Sequence, residues 1–378
     1  MMHADTAPVR DGEHLNTATL SAYLRGRLDG AGESLRVEQF PGGHSNLTYL
    51  LEVEGREYVL RRGPLGPVPP KAHDMAREYR VLRAVHPWFP PAPEAYLLCE
   101  DPSVAGAVFF VMERRNGIVL RDSVPPGIAA RPGYAAAISE AFLDCLMRLH
   151  SIDIQAHGLA TLGKAEGFLE RQVAGWAGRW QHAKTEDLPQ MERAIVWLAE
   201  NMPASGPPSL VHNDYKLDNI MLSQERTARD ALAAGRKHSR PAALCAELTE
   251  EQSDRIEAVL DWEMTTVGDP LADLGLTLCY WITAADPEVS SAGVPAISAG
   301  PGWYTRDQLI ERYARHTGRD VSRIAWYEIL GVFKLAVILQ QIYFRFHAGQ
   351  TSDERFRHFD SRVRKLASIA VGLVERAA

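Results

Sequence analysis

Four polar residues stand close together in the middle of the chain, between two short apolar stretches. They are His212, Asp214, Lys216 and Asn219, within Leu210-Val-His-Asn-Asp-Tyr-Lys-Leu-Asp-Asn-Ile-Met-Leu222. In this order an aspartate can face an attacking hydroxyl group, a lysine can meet a transferred phosphoryl group, and an asparagine can bind magnesium. The spacing His-x-Asp-x-Lys-x-x-Asn therefore predicts the catalytic loop of a phosphotransferase, held between two buried strand-like segments.

A glycine-rich turn near the N-terminus could contribute to the same chemistry. Pro41-Gly-Gly-His-Ser-Asn46 separates two predicted strands. Such a hairpin can fold over phosphates and offer backbone N–H groups together with the Ser45 and Asn46 side chains. Taken alone, Gly42 and Gly43 are more typical of a plain hairpin turn, but the loop at 210–222 favours the phosphate interpretation.

The elements that position these residues change in character along the chain. Before residue 113 the pattern predicts strands over 35–40, 47–53, 56–61, 96–99 and 108–112, with helices over 19–28 and 74–85. After residue 118 helical spacing predicts helices over 134–150, 168–183, 190–200, 271–283, 307–317, 326–347 and 355–374. The sequence therefore predicts an α+β chain in which a small β-rich part precedes a larger, mostly helical part.

Composition and charge limit what the chain can bind. Hydrophobic residues make up 46% of it and charged residues 24%, as in ordinary globular proteins, and the net charge of −7 disfavours a nucleic-acid partner. We expect no membrane partner, because the most apolar stretch, around 330–339, carries Lys334 and the N-terminus has no secretory signal. The cysteines are scattered, which predicts reduced thiols and a cytoplasmic location: Cys99, Cys145, Cys245 and Cys279.

Three groups of residues give the chain a resemblance to a known family. They are His212-Asn-Asp-Tyr-Lys-Leu-Asp-Asn219, then Val259-Leu-Asp-Trp-Glu263 with Gly268-Asp-Pro-Leu-Ala-Asp-Leu-Gly275, and Lys334-Leu-Ala-Val-Ile-Leu-Gln-Gln-Ile-Tyr343 with Arg345 and Ala348-Gly-Gln-Thr351. In these residues the chain resembles the aminoglycoside phosphotransferase and choline kinase family, the small-molecule relatives of protein kinases. Within that family it is most similar to the kinase-like domain attached to some acyl-CoA dehydrogenases, over residues 35–360.

The resemblance implies a protein-kinase-like fold of two lobes that uses ATP and Mg²⁺. It implies that Arg61 holds the α- and β-phosphates, where protein kinases have a lysine, and that Glu78 pairs with Arg61 and fixes its pose. Arg62, one position further along the strand, is expected to face solvent. The 42–46 turn would close over the phosphates, and the backbone around Glu113 would bind adenine.

The same resemblance divides the chemistry among residues of the two central motifs. Asp214 would orient the acceptor hydroxyl group and accept its proton, and Lys216 would neutralise charge on the γ-phosphoryl group. Asn219 and Asp261 would bind one or two magnesium ions. Apart from the resemblance, Asp269 and Asp273 fit loop and helix-capping positions, and both are expected to brace the catalytic loop.

Domain boundaries follow from the composition and the resemblance together. Residues 1–16 are expected to be flexible, 17–112 to form the nucleotide-binding lobe, 113–117 to be the hinge and 118–378 to form the catalytic and substrate lobe. Residues 223–255 are rich in alanine, arginine and glutamate, and we predict an exposed insertion there, where the family has a short turn.

The sequence leaves the acceptor open. The resemblance suggests a hydroxyacyl-CoA or related hydroxy acid, and a basic, aromatic segment near the C-terminus suits an anion better than a polycation: Tyr343, Phe344, Arg345, Phe346, His347, Arg355, Arg357 and His358. An aminoglycoside or choline-type kinase is an alternative.

Two further alternatives belong to other classes of protein. An inactive nucleotide-binding or scaffold protein is one, although such proteins lose the residues at positions 214, 219 or 261, and all three are present. A metallophosphatase is the other, and it would need further clusters of histidine and aspartate. The sequence also leaves the oligomeric state open, with a homodimer as one alternative.

Overall fold

The computed structural model describes residues 5–29, 34–41, 46–64, 74–223, 256–284, 286, 294–351 and 353–377. Strands in these ranges are β1 Leu35–Gln39, β2 Leu47–Val53, β3 Arg56–Arg62, β4 Ala95–Cys99, β5 Phe109–Glu113, β6 Gly117–Val119, β7 Ser209–Val211, β8 Ile220–Ser223, β9 Ile256–Val259 and β10 Thr266–Gly268. Helices are α1 Thr17–Leu24, α2 Met75–Val85, α3 Pro102–Ala105, α4 Pro126–Ala129, α5 Tyr134–His150, α6 Phe168–Ala183, α7 Pro189–Glu200, α8 Leu271–Tyr280, α9 Arg306–Thr317, α10 Ile324–His347 and α11 Phe359–Ala377.

The chain divides into two compact units, each of which is discontinuous in sequence. The first unit comprises residues 1–117 together with 257–265, and the second comprises 118–256 together with 266–378. The predicted insertion lies almost wholly at 224–255, outside the described residues.

An antiparallel sheet of five strands forms the centre of the first unit, in the order β1-β2-β3-β5-β4. The strands β2 and β3 are joined by a two-residue turn, Glu54-Gly55, in which both residues have a positive φ, of 48° and 77°. A turn of this kind matches the twist of the strands it joins, and glycine adopts the conformation without strain. The register places Arg61 opposite Thr48 on one side and Phe110 on the other.

The described part of the segment before α1, residues 5–16, pairs with strand β1, and the flexibility of residues 1–16 stays a prediction. Within the described part of it, Ala7 forms a β-bridge with Gln39, with N···O distances of 2.8 and 2.9 Å. The Gln39 side chain donates to Glu13 at 2.5 Å and accepts from the backbone of Arg10 at 2.9 Å. Polar residues in this segment therefore pair with β1 instead of remaining in water.

Arg62 is buried, with 1% of its surface exposed, so the prediction that it faces solvent is wrong. It donates to the Tyr49 hydroxyl group, to the Glu13 carbonyl at 2.7 Å and to the Ala105 carbonyl. Alternation does place Arg61 and Arg62 on opposite faces of β3. The strand is central in its sheet, however, and an apolar cluster that includes residues of α1 covers the second face.

Helix α2 carries the carboxylate that was predicted to pair with Arg61. The helix begins after Asp74, whose side chain accepts the N–H of Arg77 at 2.8 Å and caps the N-terminus. Its buried residues lie on one stripe, which includes Met75, Glu78 and Leu82. Glu78 is therefore on the inner face of the helix.

The second unit is mostly helical and holds the predicted catalytic loop. Strand β7 leads into the loop and pairs with β10, with Leu210 opposite Val267. Strand β8 leads out of the loop and lies next to β6 in a small sheet. Both flanking strands are almost wholly buried, as predicted, because their side chains are apolar.

Helices α8 and α10 cross closely at two glycines. A Cβ atom on Gly275 would lie 2.4 Å from the backbone carbon of Tyr327, and one on Gly331 would lie 3.0 Å from the Gly275 oxygen. Only glycine permits this approach, because any side chain would overlap the facing backbone. The crossing fixes the position of α10 beside α8.

Helix α10 is long and apolar enough to cross a membrane, by length and composition alone. Just over half of its most apolar 18-residue stretch is buried within the protein. The helix packs against α6, α7, α8 and α11. Its buried residues include two polar ones, Lys334 and Gln340. The helix thus forms the core of the second unit.

Candidate active site

The predicted catalytic loop brings together three of the four side chains that the spacing had singled out. Lys216 donates from Nζ to both carboxylate oxygens of Asp214, at 3.0 and 2.9 Å. Asn219 donates from Nδ2 to the Asp214 side chain at 2.8 Å and to its backbone oxygen at 2.9 Å. Asp214 is 18% exposed, so its carboxylate is held by two neighbours and still reaches the surface of the unit.

Lys216 remains charged in this setting. Burial opposes its charge, but the carboxylate of Asp214 outweighs burial and raises the pKa of Lys216 above its ordinary value. The Nζ atom also lies 5.1 Å from the centre of the Tyr280 ring, which adds a cation–π contact. Two of its three N–H groups suffice for Asp214, so one is left to donate to a phosphoryl oxygen.

The backbone of the loop is held by Asp273, which α8 carries. The Asp273 carboxylate accepts the N–H groups of His212 and Asn213, both at 2.6 Å. Burial alone would raise the pKa of Asp273, but the hydrogen bonds from His150 and from the backbone of His212 lower it. Asp273 therefore braces the loop, in the role expected from the sequence.

Asn213 has a left-handed backbone conformation, with φ of 64°. Asparagine tolerates this region better than most residues do, but the conformation still needs support from its surroundings. Its N–H is held by Asp273, and its carbonyl oxygen accepts from Lys334 Nζ at 2.5 Å. Opposite charges therefore hold the two ends of the residue that precedes Asp214.

Arg61 joins two acidic side chains in the first unit. Its Nη1 lies 2.9 Å from Glu78 Oε1, and its Nη2 lies 2.5 Å from Asp261 Oδ1. Burial opposes the charge of Arg61, but the two carboxylates outweigh burial and raise its pKa. The Nε–H of Arg61 is buried without a hydrogen-bond partner among the described residues, which leaves one donor for a ligand.

Asp261 follows strand β9 and has a left-handed backbone, with φ of 68°. The short 3-10 helix after it is anchored to the unit, because Arg77 donates to the backbone oxygens of Glu263 and Thr265. The Trp262 ring packs edge-on against Phe89, with the ring centres 5.8 Å apart. These contacts hold Asp261 next to Arg61 although the two are far apart in sequence.

Substitution Glu78→Gln should alter how stability depends on pH. Burial raises the pKa of Glu78 to about 7 from an ordinary value of 4.5, although the charge of Arg61 opposes the rise. Because its pKa is raised, Glu78 binds a proton more tightly in the folded protein than in the unfolded chain. Its contribution to the free energy of unfolding is therefore present below pH 4.5 and is lost as the pH rises towards 7. We expect the melting temperature of the wild type, relative to that of Glu78→Gln, to fall as the pH rises through this window. Scanning fluorimetry of both proteins would check it, and a difference independent of pH would contradict the assignment.

The remaining predicted site residues lie apart from these two groups. Gly42, Gly43 and Ser45 fall outside the described residues. Asn46 is buried and donates from Nδ2 to Glu263 Oε2 at 3.0 Å, within the first unit.

Glu113, the predicted hinge residue, is bound by its neighbours. Its backbone N–H donates to the Glu94 carbonyl at 2.7 Å, and its carboxylate pairs with Arg115 at 2.8 Å. The role of its backbone in binding adenine stays a prediction.

The basic segment near the C-terminus is less positive than its sequence suggested. Arg355 pairs with Asp353, and Arg357 donates from Nε to Glu354 at 2.6 Å. Their acidic partners lie two and three positions earlier in the chain, so much of the positive charge in this segment is neutralised locally. This segment therefore gives little support for an anionic acceptor.

Two functional candidates escaped the sequence analysis. The Lys334 contact with the loop was missed, although a single lysine within an apolar helix was a usable signal. Arg179 was also missed, and its guanidinium lies 4.3 Å from the centre of the Trp176 ring. Lys334 Nζ lies 5.4 Å from the same ring.

Comparison with known proteins assigns the chain to a family. The model of the phosphotransferase enzyme family matches residues 36–228 and 248–327, which is more than half of the chain. The chain belongs to this phosphotransferase family. The predicted family, one of small-molecule phosphotransferases, is confirmed. The gap in the match, at 229–247, falls within the predicted insertion.

A curated relative extends the comparison over almost the full chain. Acyl-CoA dehydrogenase family member 11 from Rattus norvegicus is 33% identical over 380 residues, which is 98% of this chain and 45% of the relative. The phosphotransferase chain thus spans less than half of that protein. The predicted similarity to the domain attached to acyl-CoA dehydrogenases is confirmed.

Solved structures confirm the kinase-like fold. A provisionally named aminoglycoside phosphotransferase from Ralstonia eutropha has 29% identity and a TM-score of 0.74, with 96% of this chain and 99% of that chain covered. Aminoglycoside phosphotransferase APH(4)-Ia, solved with AMP-PNP and hygromycin B, has 15% identity and a TM-score of 0.55, with coverage of 93% and 98%. The second likeness concerns the fold alone.

Proposed function

We propose that this protein transfers the γ-phosphoryl group of ATP, with Mg²⁺, to a hydroxyl group of a small anionic molecule. The observation that carries the proposal is the arrangement around Asp214, whose carboxylate is bonded by Lys216 and Asn219. A carboxylate in this setting can orient a hydroxyl group and take its proton late in the transfer. Lys216 stands ready to neutralise charge on the phosphoryl oxygens.

The residues present fit ATP and magnesium. Asn219 uses its amide N–H groups on Asp214, which leaves its Oδ1 facing away from that carboxylate, and Asp261 offers carboxylate oxygens. Oxygen ligands of these types are those that magnesium prefers, and magnesium bound by either residue would neutralise phosphate charge. Arg61, held by Glu78, would bind the α- and β-phosphates with the donors that its carboxylate partners leave over.

An anionic acceptor is supported by two cations, Arg179 and Lys334, that lie against the same Trp176 ring. Arg179 makes no hydrogen bond or ion pair with any described residue and is stacked on Trp176, which also contacts Lys334. Partial burial lowers the pKa of Arg179, as expected for a cation without a carboxylate partner. A carboxylate or phosphate of the acceptor would supply that partner, whereas a polycationic aminoglycoside would be repelled.

The acceptor we favour is a hydroxyacyl-CoA or a related hydroxy acid. The rat relative carries acyl-CoA dehydrogenase in its name, and enzymes of that kind act on acyl thioesters of CoA. Both candidate acceptors are anions, which suits the unpaired Arg179. We also expect the reaction to take place in the cytoplasm, where ATP is abundant.

The test is release of ADP from ATP across a panel of acceptors: hydroxyacyl-CoA esters, hydroxy acids, choline, sugars and aminoglycosides. We expect release that needs magnesium, is stimulated by a hydroxylated anion and is absent in Asp214→Ala. Stimulation by an aminoglycoside or choline instead would overturn the acceptor class. Failure to bind Mg-ATP would overturn the whole proposal and favour an inactive scaffold.

Substitution Arg179→Gln should weaken binding of the acceptor alone. A charged hydrogen bond contributes about 1.5–3 kcal/mol, so we expect KM for an anionic acceptor to rise about 10–100-fold while KM for ATP changes little. Steady-state kinetics with each substrate varied in turn would measure both constants. Arg193→Gln is the matched control, because Arg193 is an exposed arginine on α7 that pairs with Glu375. Equal KM values for the acceptor in the two variants would remove Arg179 from the site.

A further inference from the structure

Lys334 is a buried cation in α10, the long apolar helix of the second unit. Only 6% of its surface is exposed, and it makes no ion pair with any described residue. Its Nζ instead donates to one backbone carbonyl, that of Asn213, and lies 5.4 Å from the centre of the Trp176 ring. A buried ammonium group without a bonded carboxylate is unfavourable, so its retention in the fold calls for a specific role.

The carbonyl that Lys334 binds belongs to the peptide group linking Asn213 to Asp214. The N–H of the same peptide group donates to His212 Nδ1 at 3.3 Å. Because a peptide group is planar, these two contacts together fix its orientation. The direction in which the Asp214 side chain leaves the backbone depends on that orientation.

The position of Lys334 is itself set by the close crossing of α8 and α10. Gly331 meets Gly275 at this crossing, and Lys334 follows Gly331 by about one helical turn, on the same side of α10. Helix α8 also carries Asp273, which holds the N–H of Asn213. The two helices therefore deliver a carboxylate and an ammonium group to the two sides of one residue.

Resting on the proposed phosphotransferase function, we propose that Lys334 is a positioning residue for the reaction. Its ammonium group holds the peptide group between Asn213 and Asp214. It thereby fixes the orientation of the Asp214 side chain towards the acceptor hydroxyl group. Lys334 touches neither substrate nor metal in this role. It acts only through the backbone of the catalytic loop.

The role predicts a pH effect that other groups around Lys334 do not produce. Burial lowers the pKa of Lys334 to about 8, although the charges of Asp214 and Asp273 oppose the fall. The cations Lys216 and Arg179 also face it, and both keep their charge in this range. Burial raises the pKa of Cys279, on α8, to about 12. The loss of a proton near pH 8 therefore belongs to Lys334 within this group.

The test compares Lys334→Met with Gln340→Met. Both substitutions remove a buried donor on α10 that bonds a backbone carbonyl, since Gln340 donates to Ala183 at 2.8 Å, but only the first touches the loop. We expect kcat to fall about 10²-fold in Lys334→Met, with KM for ATP unchanged, and to stay near the wild-type value in Gln340→Met. The wild type should lose kcat as the pH rises through 8, and Lys334→Met should lack this fall.

Hydrogen exchange separates this proposal from the proposed function. In Lys334→Met the amides of residues 212–216 should exchange faster than in the wild type, whatever reaction the protein catalyses. A second measurement needs no variant. Above pH 8 the same amides of the wild type should also exchange faster, once the pH dependence of the intrinsic exchange rate has been subtracted. Unchanged exchange in the loop, or a kcat equal to that of Gln340→Met, overturns the positioning role. Faster exchange in a protein that transfers no phosphoryl group overturns the proposed function alone.

Discussion

Replacing Asp214 by asparagine should lower kcat about 10²–10⁴-fold, the range that a positioned general base contributes. Asparagine keeps the size of the side chain and one acceptor oxygen, so Asn219 can still donate to it. It cannot take a proton from the acceptor hydroxyl group, and its amide N–H₂ would face the Lys216 ammonium group, which now bonds both carboxylate oxygens. The chemical step should suffer while Mg-ATP binding stays close to that of the wild type.

Single-turnover transfer and nucleotide binding, measured in the same samples, would check this result. Asp218→Asn is a suitable control, because it removes a neighbouring carboxylate of the same loop that lies near the charge of Lys216 but forms no described hydrogen bond with Lys216 or Asn219. If Asp214→Asn kept more than about a tenth of the wild-type kcat, Asp214 would not be the residue that accepts the proton.

Asp273→Asn should destabilise the protein and slow the reaction together. The two oxygens of Asp273 accept the N–H groups of His212 and Asn213, and Nε2 of His150 lies 3.2 Å from one of them. A carboxylate cannot donate, so that histidine nitrogen carries the proton. An asparagine would turn its N–H₂ towards at least one of these donors. Leaving a buried donor unpaired costs about 1–3 kcal/mol, so we expect a loss of about 2–4 kcal/mol in the free energy of unfolding.

The matched control for this prediction is Asp144→Asn. Asp144 is a buried carboxylate of α5 that accepts from Arg312 at 2.9 Å, and it does not touch the loop. Denaturant unfolding of both variants should show comparable losses of stability. Only Asp273→Asn should also lower kcat at temperatures where both proteins are folded. A kcat that fell equally in both variants would show that general stability, not the loop backbone, governs the rate.

The loop chemistry could be predicted from the sequence because its residues are close together in the chain. Asp214, Lys216 and Asn219 span six positions between two apolar strands, so few arrangements could keep them apart. The pairing of Arg61 with Glu78 was also expected, because the resemblance placed one on a strand and the other on a helix. The structure supplies the distance that the sequence could not give.

Features that depend on packing from outside an element could not be predicted. Alternation along β3 assigned Arg62 to the face opposite Arg61, but it could not show that α1 and its neighbours cover that face. The segment before α1 has no periodic pattern, so its pairing with β1 could not be predicted. Lys334 was noted as an interruption of an apolar run and as the first residue of a family motif. Its contact with the loop could not be predicted, because its partner is the backbone carbonyl of Asn213 and not a side chain.

The discontinuity of the first unit has a consequence for how relatives of this protein can exchange parts. Arg61 and Asp261 form one ion pair, yet they lie in stretches of the gene separated by most of the second unit. A single crossover between two homologous genes, anywhere between these stretches, would join Arg61 of one parent to Asp261 of the other. Chimeras of this family should therefore function only when both stretches come from the same parent or from parents that match at both positions. The two stretches must therefore be inherited together, because one ion pair, with an N···O distance of 2.5 Å, joins them.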